Sequence, residues 1–154
     1  MDPSPPVVIR LLPFVLAALA GCDMSTGPDF ETRRVLGHPA SPEQEVVPIA
    51  APDTVMAREP FEVTVITVGG GCHVRADGVE IGASGGAVEL RPYDVVQVPV
   101  SEQAGCTAIQ LHFPRTATVV LREPGRRLLR VVGSSGWDPG ATPVVFERVV
   151  VVQE

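Results

Sequence analysis

Three cysteines, three histidines, a single tryptophan and a cluster of arginines are the residues of this 154-residue chain most able to do chemistry. Cys72, His73, Cys106 and His112 form a two-Cys, two-His set of the kind that holds zinc. Zinc fingers use paired ligands at short fixed spacings, however. Adjacent Cys72 and His73 fit one ion poorly, and Cys106 to His112 is not a finger spacing. A metal-binding domain is therefore the weakest of the binding alternatives. A hydrolase needs a nucleophile, a base and an orienting acid. Ser84, Ser101, Ser134 and Ser135 lie in polar stretches, none of them in a G-x-S-x-G elbow. "GGGC" lacks the lysine and spacing of a phosphate-binding loop. With no carboxylate pair standing out, the expectation is a non-catalytic protein without a cofactor.

The candidate contact residues are of another kind. Trp137 sits in "GSSGWDPG", a turn-rich stretch. It is either a contact residue at a loop tip or a plug folded over one end of the domain. Arg115, Arg122, Arg126, Arg127 and Arg130 crowd a chain whose formal net charge is −6. If their strands pair, several gather on one face, with Arg126 and Arg127 the leading candidates to meet an acidic polysaccharide or protein. The simpler reading is a charged outer face that discourages edge pairing. Net negative charge argues against nucleic acid as a partner.

The elements that must position these residues read as strands. The chain is 45% hydrophobic, with 15 glycines and 16 prolines. β-Branched runs broken by Gly and Pro predict an all-β domain. In "FEVTVITV", Phe61, Val63, Val65 and Thr67 fall on one face, with Glu62 and Thr64 on the other. "VVPIAAPDTVMA" suits an edge strand because of its prolines. Asp77-Gly78 reads as a hairpin turn, and "TAIQLHF" and "TATVVLRE" as two strands broken at Pro114. "GRRLLRVVGS" and "PVVFERVVVVQ" close the chain. The pattern predicts seven or eight short strands, hence a β-sandwich over residues 46–154. Residues 22–45 have turn formers and mixed charge without an apolar period, and read as a flexible tether.

Ahead of that tether, Arg10 precedes "LLPFVLAALAG", a short apolar run of secretory-signal length. Leu19-Ala20-Gly21-Cys22 resembles the lipobox of bacterial lipoproteins. That resemblance implies cleavage after residue 21, a diacylglycerol on the Cys22 sulfur, and a lipid anchor outside the cytoplasm, in the cell membrane or outer membrane. "MDPSPPVVIR" departs from the family by its weak positive charge, and the alternative is an ordinary secretory signal. The stretch from Thr116 to Val152, with its Pro124-Gly125 turn and final valine-rich strand, resembles bacterial immunoglobulin-like (Ig-like) domains. Arg127 stands where that class often has tyrosine, and the strands lack the facing cysteines. With Cys22 lipidated, Cys72 and Cys106 remain as an even pair in an exported domain, where a disulfide is the expected state. Closing their separation of 34 residues would stabilise the fold by roughly 3.5–4 kcal/mol in the chain-entropy treatment. The functional expectation is a membrane-anchored binding or structural protein of the cell envelope, partnered by an envelope protein or polysaccharide. A spacer or assembly module without a ligand is the alternative.

Overall fold

A computed structural model describes residues 30–70, 74–99, 109–137 and 140–154. Among the described residues there are ten strands: β1 (Phe30–Leu36), β2 (His38–Pro39), β3 (Ile49–Ala50), β4 (Thr54–Met56), β5 (Pro60–Gly70), β6 (Val74–Ser84), β7 (Ala87–Pro99), β8 (Gln110–Val120), β9 (Gly125–Ser134) and β10 (Pro143–Gln153). The protein is all-β. One sheet runs β1-β7-β9-β10-β4, with β6 also on β7; the other runs β2-β5-β3, with β8 also on β5.

Alternation decides which faces meet. Val63, Val65 and Thr67 of β5 are fully buried, as are Leu90 of β7, Leu129 and Val131 of β9, and Val150 of β10. With Ala117 and Val119 of β8 and Ile49 of β3, the apolar residues among them form one core between the two sheets. Period-2 burial on both inner faces is what face-to-face packing requires.

Four expectations need correction. Residues 22–45 are not a tether throughout: from Phe30 they belong to the fold. β1 pairs antiparallel with β7 from Phe30↔Pro99 to Leu36↔Tyr93. Apolar periodicity could not show this, because β1 is held by backbone pairing and by Arg34. That guanidinium bonds Asp77 at 2.6 Å and Glu80 at 2.9 Å, and lies 3.7 Å from the Tyr93 ring centroid. Secondly, Asp77-Gly78 is a bulge inside β6, where the register shifts. The β6–β7 turn is Gly85-Gly86, at φ 58° and 80°; two successive positive φ values suit the twist of a tight hairpin.

Thirdly, Pro114 does not break β8, which runs unbroken opposite β5. Pro114 faces Ile66, whose N–H donates to Pro48 and whose carbonyl accepts from Ala40, both on the far edge of β5. The Ile66–Pro114 pair therefore exchanges no ladder bonds, and the missing N–H of Pro114 points away from β5. Fourthly, "VVPIAAPDTVMA" is not one edge strand: β3 pairs with β5, and β4 crosses to lie parallel to β10. Among the described residues, eight strands, β3 to β10, fall within residues 46–154, with β1 and β2 ahead of them. β7 and β9 are also parallel neighbours, Val88↔Leu129 to Leu90↔Val131.

Candidate functional site

At the end of the domain where β5 and β9 finish, three inward side chains from both sheets make a polar cluster. Asp94 points in from β7, and Thr67 and Arg115 point in from β5 and β8. Arg115 Nη2 pairs with Asp94 Oδ1, and Nη1 donates to Thr67 Oγ1 at 2.8 Å. Asp94 is 0% exposed and Arg115 8%. Burial raises the Asp94 carboxyl above its ordinary value; the charge and hydrogen bond of Arg115, then Trp137 and the His38 main chain, pull it the other way.

Gly37 makes room for this cluster where the chain passes from β1 to β2. A Cβ there would lie 2.9 Å from Asp94 Oδ2 and 3.0 Å from Thr67 Cγ2. Its N–H donates to Pro92 O at 2.9 Å, and its carbonyl accepts from Ser134 at 3.0 Å. Gly133 is equally confined, since a Cβ there would stand 2.5 Å from the Gly37 carbonyl oxygen and the Pro39 ring.

Above the cluster lies an open cleft of about 530 Å³, lined by His38, Gln44, Gly70, Gln110, Ser135 and Trp137 among others. β2 places His38 opposite Val68. Ser135, just past β9, closes a loop with Thr142 through backbone and hydroxyl bonds of 2.8–3.0 Å. Trp137 rides on that loop. Its ring packs against His38, 6.0 Å between centroids and tilted by 42°. Its Nε1 and Asp94 Oδ2 are both buried without a well-formed hydrogen bond among the described residues, yet are near enough for the indole to favour the carboxylate.

Trp137 is thus half-buried, closer to a plug than to a free loop tip, with part of its ring on the cleft wall. The arginines do not gather. β8 and β9 belong to different sheets, so the expected pairing is absent, and Arg115 is inside the protein. Arg127 braces the Pro124-Gly125 turn, bonding the Glu123 carboxylate at 2.6 Å and the carbonyls of Glu123 and Pro124. Arg130 pairs with Glu147 at 2.8 Å, and Arg122 and Arg126 are exposed. Arg126 and Arg127 start β9 while Trp137 follows its end, about 25 Å away at strand rise. They cannot share one small ligand.

Compared with protein-family models, curated proteins and solved structures, the chain matches none. Cys22, Cys72, His73 and Cys106 lie outside the described residues. His112 is an exposed side chain of β8. No group of three or more metal-binding side chains occurs among the described residues. Sequence reasoning missed Asp94, His38 and Gln44. Asp94 left one signal, a lone carboxylate in the apolar stretch "PYDVVQV".

Proposed function

We propose that the protein is a membrane-anchored, extracytoplasmic lipoprotein that binds an envelope component without catalysis. The cleft beside Trp137 is the observation that carries the binding half of this reading. Its walls combine an indole, an imidazole, two carboxamides and a hydroxyl, a set suited to a neutral saccharide or a polar protein loop. The anchoring half rests on Leu19-Ala20-Gly21-Cys22. An Ig-like relationship remains part of the proposal, supported by the sandwich order and by β4 lying parallel to the last strand.

The disulfide between Cys72 and Cys106 belongs to the same proposal. Its support is that Gly70 and Gln110 are direct register partners, so short segments lead from adjacent points to both cysteines. Mass spectrometry of unreduced protein is expected to find two hydrogens missing; two free thiols would overturn the staple.

The binding test uses Trp137, the only tryptophan. Full-length protein and Trp137→Ala are each used to recover partners from envelope extract. The native chain is expected to retain a saccharide or protein that the variant loses by tenfold or more, with both variants folded by circular dichroism. Identical partner sets would refute the cleft as the binding site. Arg126→Ala, at the other end of β9, is expected to change nothing.

A further inference from the structure

The end of the domain opposite the Trp137 cleft carries a second hollow. It is open, about 570 Å³ in volume, and lined by Arg58, Val120, Arg122 and Glu123. The turn from β4 to β5 supplies Arg58, and the segment between β8 and β9 supplies Arg122 and Glu123. Backbone bonds lock these segments together. The Arg58 N–H donates to Leu121 O at 2.7 Å, and the Ala57 N–H donates to Gln153 O of β10 at 2.7 Å. Leu121 belongs to the buried core, so Arg122 follows a fixed residue. The two arginines are thus set on one hollow by bonds to both sheets. Phe30 and the residues flanking 71–73, 100–108 and 138–139 all lie at the cleft end, away from it.

This pair differs from the other arginines. Both side chains are exposed. Neither joins an ion pair or side-chain hydrogen bond among the described residues, where most arginines meet a carboxylate. Arg58 also holds φ at 67°, a left-handed conformation that glycine adopts at less cost. Glu123 does not neutralise the hollow, because Arg127 bonds its carboxylate at 2.6 Å. Two guanidinium charges therefore stay unmatched at one place in a chain of net charge −6.

We propose that Arg58 and Arg122 bind a phosphate monoester group, at a site separate from the Trp137 cleft. Guanidinium forks match phosphate oxygens with paired, charge-assisted hydrogen bonds. A phosphate monoester carries a charge of about −1.5 to −2 near neutral pH, which two guanidinium groups neutralise. A carboxylate matches only one of them. Val120, 49% exposed, gives the hollow an apolar side for the carbon part of the ester.

The test titrates the full-length chain in non-ionic detergent, at low salt, with inorganic phosphate, glucose 6-phosphate and acetate. The backbone amide NMR signals of Arg58 and Arg122 are followed. Both phosphates are expected to shift them saturably, the ester at least as tightly as the inorganic ion, and acetate about tenfold more weakly. Arg122→Gln and Arg58→Gly are each expected to weaken phosphate binding about tenfold. Glycine suits the backbone at residue 58, so that variant should keep or raise the unfolding midpoint while binding falls. Arg75→Gln removes another exposed, unpaired arginine, on β6, and is expected to bind as the native chain does. Trp137→Ala should also leave phosphate binding unchanged. No saturable shift, acetate as tight as phosphate, or inorganic phosphate binding without the ester would overturn the proposal. So would an equal loss with Arg75→Gln, or a loss with Trp137→Ala, which would put the ion in the cleft. Should a variant not fold, the native chain's preference for phosphate over acetate at these two signals decides.

Discussion

Arg115→Met is expected to lower the free energy of unfolding by about 3–5 kcal/mol, the usual cost of stranding one partner of a buried ion pair. The variant leaves Asp94, 0% exposed, with no ion-pair partner among the described residues. For a domain stable by roughly 5–15 kcal/mol, that is a large share. Replacing both partners, Asp94→Leu with Arg115→Met, is expected to restore most of the loss, because apolar substitutes carry no desolvation cost. Acid should modulate both results. The folded Asp94 carboxyl is raised from its ordinary 3.8, so its contribution to stability is full below that value and is lost as pH rises through the folded one. The double variant should therefore gain on the native protein between about pH 4 and neutrality, and the single variant's deficit should shrink in acid. Chemical denaturation at several pH values measures both. A single variant within 1 kcal/mol of native at neutral pH would show that the pair does not tie the two sheets together.

Leu129→Ala is the second large effect, about 2–5 kcal/mol from lost burial plus the cavity left behind. Leu129 is fully buried and lies between Val88 of β7 and Arg148 of β10, so neighbours on both sides are held by ladder bonds and cannot close the gap. The denaturation midpoint should fall with an unchanged slope. Val151→Ala, on the same sheet but 42% exposed, should shift it by less than about 1 kcal/mol. Equal shifts would contradict the assignment of inner and outer faces.

The inner faces were legible because alternation is a local property. Val63, Val65 and Thr67 could be placed together from "FEVTVITV", and β9 and β10 from their valines. β1 could not, since "FETRRVL" carries no apolar period and becomes a strand through β7 and the reach of Arg34. Proline was over-read at Pro114, because its effect depends on which way the missing N–H points, and that needs the partner strand. Asp77-Gly78 and Gly85-Gly86 compete for one hairpin, and composition alone does not rank them. The Asp94–Arg115 pair was out of reach for a deeper reason. Each residue belongs to a different sheet, and only the stacking of the sheets turns a surface-type arginine into an interior one. Trp137 was legible as a residue to watch, but its resting place against His38 was not.

The pairing of Phe30 with Pro99 has a mechanical consequence. If Cys22 carries the proposed lipid, only eight residues separate the anchor from Phe30, at most about 27 Å of chain, against roughly 80 Å for the span of residues 22–45. Phe30 lies at the end of the domain on which the Trp137 cleft opens, because β1 starts beside the finish of β7 and β7 runs parallel to β9. Under the proposed lipid anchor the cleft would face the bilayer, and it would sample the thin layer above the head groups, so that components free in the wider compartment would have to enter that layer to be met.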